Sequence, residues 1–208
     1  MVRRRAGLTR RRSSYRSLAS LQRDLRVCRA CAEAGFHLES LPVVNDQLGQ
    51  RAYMYGQAPG IVEGEERRPW RGRAGKTLRR WLELEEDEFY RTFYCASVTR
   101  CYPGRAASGR GDRTPTPREQ ELCSLWMNWE LELVSPQLIV PVGGLAIRRV
   151  LGVSGLAECI GRRYELDRAA VVPLPHPSGA SSWLNSPSNR ELTARAAALV
   201  REELARLS

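Results

Sequence analysis

The sequence predicts an α/β protein, a three-layer α/β/α sandwich around a central, mainly parallel sheet of four strands. Three observations predict it. Short runs of β-forming residues, such as "AYMYG", "TFYCASV" and "QLIVPVG", alternate with longer segments of helical period. Several of these runs end in glycine or proline followed by a polar loop, as strands feeding a ligand site do. The hydrophobic fraction is 42%, enough for a core on both faces of a sheet.

The elements follow in order. Leu18, Leu21 and Leu25 lie at helical spacing, so a first helix delivers Cys28 and Cys31 at its end. "AYMYG", residues 52–56, is a strand entering a loop, and "GKTLRRWLELE" places Leu78, Trp81 and Leu82 on one helical face. Residues 91–100 read as a strand, and 102–117 as a Gly/Pro/Arg loop. Thr116 and Pro117 are the N-cap and first residue of a long helix reaching about Val134. "QLIVPVG" is a buried strand and "GGLAIRRVLG" a short helix. Asp167–Arg168 turns one strand into another that ends at "PLPHPSG", and Ser186–Pro187 start the last helix. The loops after Tyr55, Val98 and Leu174 should converge beyond the carboxyl ends of the strands.

The net charge of +10 favours a polyanionic partner, since neutralised phosphates release counterions. Lys76 is the only lysine, and every other cation is arginine. Residues 1–14 read as a loose basic arm without the apolar stretch of a secretory signal, and 15–208 as a single domain. No apolar run is long enough for a transmembrane helix, so a cytoplasmic bacterial protein is expected. Six cysteines occupy positions 28, 31, 95, 101, 123 and 159. The Cys28-x-x-Cys31 pair with Cys101 and Cys123 can supply four thiolates to a [4Fe–4S] cluster or to zinc, whereas Cys95 and Cys159 sit in apolar contexts as small buried side chains.

The segment "GQAPGIVEGEERRPWRGRAGKT", Gly56 to Thr77, ends like a phosphate-binding P-loop. That motif needs a glycine five residues before Gly75, and Trp70 stands there. A bulky indole fills the cradle, so Gly75-Lys76-Thr77 is read as a helix start beside a site.

Three ordered motifs and four cysteines together resemble the iron–sulfur uracil-DNA glycosylases of family 4. "GQAPGIVEGEERRPWRGRAGKTL" resembles their first motif, "SVTRCYPG…PTPREQELC" their second cysteine region, and "PLPHPSGASSWLN" their histidine motif in a form closer to family 5. The resemblance runs from about Cys28 to the C-terminus. It implies a structural [4Fe–4S] cluster on Cys28, Cys31, Cys101 and Cys123. It also implies Trp70 stacked on a base flipped out of DNA, with Gly56, Ala58 and Ser97 around that base, and His176 hydrogen-bonded to it. Gln57, Gly64, Arg67 and Ser97 stand where the family has Glu, Asp, Gly and Asn, and Arg73 where family 5 has an aspartate.

On this reading the chain cuts the N-glycosidic bond of uracil or another deaminated base, as a monofunctional enzyme acting as a monomer on DNA. Flipping costs a few kcal/mol, and stacking on an aromatic ring returns about 1–3 kcal/mol. His176 donates to the base oxygen that gains negative charge. Glu63 orients water, and Gln57 positions water or base. Ser178, Gly179 and Ser181 grip phosphates, with Lys76 beside them, and Trp183 or Leu184 wedges into the duplex. Arg100, Arg105, Arg110 and Arg113 track the DNA backbone. Two other readings stay open: a cluster-bearing nucleic-acid-binding protein that has lost the reaction, and a glycosylase preferring hypoxanthine or xanthine.

Overall fold

The computed structural model describes residues 14–109, 111–179 and 181–207. The expected basic arm therefore lies, apart from Ser14, outside the described residues. The chain runs α1 (Leu18–Arg26), α2 (Ala30–Glu33), β1 (Ala52–Gly56), α3 (Ile61–Glu66), α4 (Arg73–Leu82), α5 (Glu86–Thr92), β2 (Phe93–Ser97) and α6 (Pro117–Val134). It continues with β3 (Leu138–Pro141), α7 (Gly144–Leu151), α8 (Leu156–Cys159), β4 (Tyr164–Leu166), β5 (Ala169–Val171), a 3-10 turn at Ser182–Asn185 and α9 (Pro187–Leu207).

Among the described residues the sheet has five strands in the order β2-β1-β3-β5-β4, not four. The first four are parallel, and the extra one, β4, pairs antiparallel with β5. Its origin is local. Asp167 adopts φ 53°, which folds the chain back within two residues and lays Leu166 opposite Ala169. A three-residue, mostly exposed edge strand blunts that side of the sheet against pairing with another chain.

Period-two alternation separates the two faces. Ala52, Met54, Phe93, Cys95, Leu138 and Val140 pack with Leu78 and Leu82 of α4, Phe89 of α5 and Val200 of α9. Tyr53, Tyr55, Tyr94, Ala96 and Ile139 point the other way, against Met127 of α6 and Ala146 of α7. With helices over both faces, the strands read as continuous buried runs. Local signals set several helix ends. Thr116 accepts from the Glu119 amide at 3.3 Å while Glu119 accepts from the Thr116 amide at 2.8 Å, a reciprocal cap at the expected start of α6. The expected 91–100 strand begins only at Phe93, because Glu86, Asp87 and Glu88 favour the N-terminus of α5, which runs through Thr92. No helix among the described residues is long and apolar enough to cross a membrane.

A polar network is buried between β1, β2 and α6. The Tyr53 and Tyr94 hydroxyls donate to Glu130 at 2.8 and 3.0 Å, and Arg100 forms an ion pair with the same carboxylate. Arg100 and Glu130 are 2% and 1% exposed, so the guanidinium cannot track a DNA backbone as the loop's charge suggested. Burial, and then the Glu130 charge, raises both tyrosine pKa values, so the phenols stay protonated donors. Removing one partner leaves the other charge stranded in the interior. Glu130→Ala is therefore expected to lower unfolding free energy by about 3–5 kcal/mol, read from urea denaturation.

Candidate active site

β1 is the switch point of the sheet, with β2 on one side and β3 on the other, so a crevice opens at its carboxyl end. A cleft of about 940 Å³ lies there. Its lining joins Gly56–Glu63, Trp70, Ser97, Gly143 and the His176–Gly179 loop. The three strand-end loops thus converge as the pattern of elements implied.

Trp70 forms part of the floor. It is 9% exposed and belongs to the hydrophobic core, yet it also lines the cleft. Its backbone is left-handed, φ 57°, a conformation that bulky residues rarely hold and that costs of order 1–3 kcal/mol. Two glycines make room for it. A Cβ on Gly56 would lie 2.7 Å from the indole Cζ2, and one on Gly75 would lie 1.7 Å from the Trp70 carbonyl oxygen. The Gly75 of the apparent P-loop ending is there because the Trp70 backbone passes over it.

Neighbouring groups clamp this turn. Arg79 donates to the Trp70 carbonyl at 3.2 Å, and Tyr90 donates to the Pro69 carbonyl at 2.7 Å. Glu86 gathers Arg68, Arg71 and Arg79, and the Arg68 guanidinium lies 4.0 Å above the Tyr90 ring. Glu63 belongs to the same clamp. Its carboxylate accepts from the amides of Gly60 at 3.1 Å and Gly72 at 2.8 Å, tying the start of α3 to the N-cap of α4. At 8% exposure it is no solvated member of the acidic run, and both its oxygens are engaged.

His176 closes the cleft from the loop after β5. The Ser178 amide donates to its Nδ1 at 3.3 Å, and the Ser178 hydroxyl lies 2.8 Å from the same atom. An amide can only donate, so Nδ1 is the acceptor and Nε2 carries the proton. Burial holds the imidazole below its ordinary value of about 6.5, with the Asp112 carboxylate pulling the other way. Gly143, φ 86°, backs the ring; a Cβ there would come within 3.3 Å of it.

Gln57, Gly56, Ala58, Ser178, Gly179 and Ser181 all line the cleft, and so does Ser97, whose hydroxyl donates to the Thr99 carbonyl at 2.7 Å. Three residues expected at the DNA do not line it. The Trp183 indole donates to Thr193 of α9 at 3.1 Å and packs on the core, so it anchors the 3-10 turn rather than wedging a duplex. Leu184 and Lys76 are outside the cleft lining. Arg113 is held by Glu119 at 2.7 Å, Arg105 lies at the rim, and Arg110 lies outside the described residues. Asp112 was missed. It lies in a loop whose composition signals only irregular backbone, yet an antiparallel bridge between Arg105 and Asp112 folds that loop against the cleft.

Cys28, Cys31, Cys101 and Cys123 line one small apolar pocket on the far side of Arg100. Among the described residues, no three His, Cys, Asp or Glu side chains close on one point as ligands of a single ion do. Burial, and then the neighbouring thiols, pushes Cys101 above the ordinary thiol range; burial pushes Cys123 up to about 12, with Arg100 opposing it. Two buried donors in the same wall, Arg100 Nε and Trp126 Nε1, have no hydrogen-bond partner among the described residues. Cys95 and Cys159 are core residues, as expected.

A cleft at the switch point of an open, mainly parallel sheet, floored by an indole and closed by an imidazole, marks the ligand site of an α/β protein. The chain belongs to the Uracil DNA glycosylase superfamily, which matches residues 44–201. It is 32% identical over 153 residues to a type-4 uracil-DNA glycosylase of Thermotoga maritima, covering 71% of this chain and 76% of that protein. A type-4 uracil-DNA glycosylase of Archaeoglobus fulgidus is 28% identical over 174 residues, 78% and 82% of the two chains. A type-5 uracil-DNA glycosylase of Pyrobaculum aerophilum is 34% identical over 91 residues, 42% and 37% of the two chains.

With two histidines in the chain, the His176 tautomer is directly observable. Long-range ¹H–¹⁵N spectra are expected to show a protonated Nε2 and a bare Nδ1 at neutral pH. Acidification adds a proton at Nδ1 against the Ser178 amide, with a midpoint below 6.5.

Proposed function

We propose that this protein is a uracil-DNA glycosylase that hydrolyses the N-glycosidic bond of a base flipped out of DNA and so opens base excision repair. The observation that carries the reading is His176, whose Nδ1 is occupied by Ser178 so that Nε2–H is the donor left for a ligand. The bond breaks with its electrons leaving on the base, so a donor at the base oxygen stabilises the transition state more than the ground state. A neutral imidazole donates there without placing a full cation beside the positively charged sugar. Trp70 supplies the stacking face, held in place before any ligand arrives. The Ser97 hydroxyl, donating to Thr99, presents its lone pairs to the cleft. The type-4 names of the relatives agree with this substrate.

The enzyme is monofunctional and works as a single chain on DNA. Lyase chemistry through a Schiff base needs an amine at the sugar, and Lys76, the only lysine, is not part of the cleft lining. Ser178, Gly179, Ser181 and Arg105 at the rim suit phosphates.

The four cysteines fit a [4Fe–4S] cluster. A cubane spreads its ligand sulfurs further apart than one ion does, and the partnerless N–H groups of Arg100 and Trp126 in the pocket wall suit its sulfur atoms. The cluster's contribution is to cross-link α1–α2, the turn after β2 and α6, whereas Trp70 and His176 do their work elsewhere.

Purified protein incubated with labelled oligonucleotides, each carrying one uracil, hypoxanthine or xanthine, is expected to yield alkali-labile strands from uracil. No such product from any substrate, single- or double-stranded, sinks the reading. His176→Ala is expected to lose about 100- to 1,000-fold in single-turnover rate. Anaerobically prepared protein is expected to contain iron and acid-labile sulfide in equal amounts, and Cys101→Ala to lose both. Protein with zinc and no iron overturns the cluster.

A further inference from the structure

We propose that Asp112 is the carboxylate that holds and deprotonates the attacking water. This role rests on the glycosylase reading and completes it. Two carboxylates line the described cleft, Glu63 and Asp112. Glu63 has both oxygens on backbone amides, Gly60 on one and Gly72 on the other, so its geometry is that of a strut. Gln57 is an amide and takes no proton at neutral pH. His176 offers a donor, the wrong polarity for a base.

Asp112 differs from all three. Its Oδ1 accepts from the Tyr102 hydroxyl at 3.1 Å, and it is exposed to the cleft. Its Oδ2 lies 3.4 Å from where a Gly60 Cβ would be, beside the α3 turn in the cleft lining. Tyr102 is 2% exposed, and its hydroxyl donates to this one Asp112 oxygen. Its phenol thus fixes one oxygen and leaves the other to the cleft. The backbone is pinned as well. Ala106 donates to Gly111 at 3.1 Å and Arg113 to Gly104 at 2.9 Å, closing the loop on either side of the Arg105–Asp112 bridge. Asp112 and His176 line the same cleft, so base and donor face one ligand volume.

The step balances without any further reagent. The C1′–N bond breaks and its electron pair leaves on the base, toward His176 Nε2–H. The water oxygen bonds to C1′ as its proton passes to Asp112. That proton then returns through solvent to the base anion, giving the free base and an abasic sugar with a C1′ hydroxyl. The negative charge on Asp112 also favours the sugar cation before the water bonds.

The test is single-turnover excision of uracil from an oligonucleotide, with affinity for the same oligonucleotide measured by anisotropy. Asp112→Asn keeps the size and the acceptor for Tyr102 but not the basicity. It is expected to slow excision by about 100- to 10,000-fold with affinity and thermal midpoint unchanged. Asp112→Glu is expected to recover part of that loss, and Tyr102→Phe to slow excision by a smaller factor. Asp112→Asn within threefold of an active wild type overturns the role of Asp112 and leaves the glycosylase reading standing. So does a loss that tracks weakened binding or unfolding. Wild-type protein that releases no base overturns both.

Discussion

Much of this cleft depends on one crowded crossing, where Trp70 passes over Gly75 and lays its ring on Gly56. The crossing has no slack, since a Cβ at either glycine would sit closer than atoms approach. It fixes the indole relative to the end of β1, the strand at the switch point, and so sets the depth of the cleft. The left-handed backbone at Trp70 is strained, and strain persists only where the surroundings over-determine it. Here Arg79, Tyr90 and Glu63 hold the chain on both sides of the turn. The platform is therefore finished before a ligand arrives, and binding need not order it.

The same logic explains the division of labour among the charged residues. Glu63, Glu86, Glu119 and Glu130 each gather amides, phenols or guanidinium groups, and each spends its charge on holding the frame. Glu130 is the extreme case. It binds Tyr53, Tyr94 and Arg100 in the interior, joining β1, the turn after β2 and α6 at one point. Arg100 faces the four cysteines from that network. The sheet and the cysteine pocket are thus joined through Arg100 and Glu130.

His176 shows how a single backbone amide can decide the chemistry of a side chain. The Ser178 N–H fixes the tautomer, and burial keeps the ring neutral. A short loop that places an amide two residues beyond the histidine achieves both, which gives "HPS" a physical meaning beyond a motif. The imidazole then has one donor, Nε2–H, left over on a residue that lines the cleft.

The fold was legible because it rests on periodicity. Alternating buried runs, the Thr116–Pro117 start and the Asp167 turn are local signals, and the structure follows each. The strand before the Asp167 turn was legible, but not its place as a fifth member of the sheet, because the pairing of a three-residue edge strand is decided by its partner, not by its own composition. The cleft's loops, and Trp70, Glu63, Ser97 and His176 within them, were visible as motifs. What the chain alone could not show was how each group is spent. Trp183 and Arg100 read as free to meet DNA, and both are taken by partners ten and thirty residues away. Asp112 read as loop, and a backbone bridge turns it toward the cleft. The sequence by itself determined which residues are present at each strand end, because residue type and spacing are local. Only the tertiary structure decided which of their donors and acceptors remain unspent, because every hydrogen bond needs a second group brought from elsewhere in the chain.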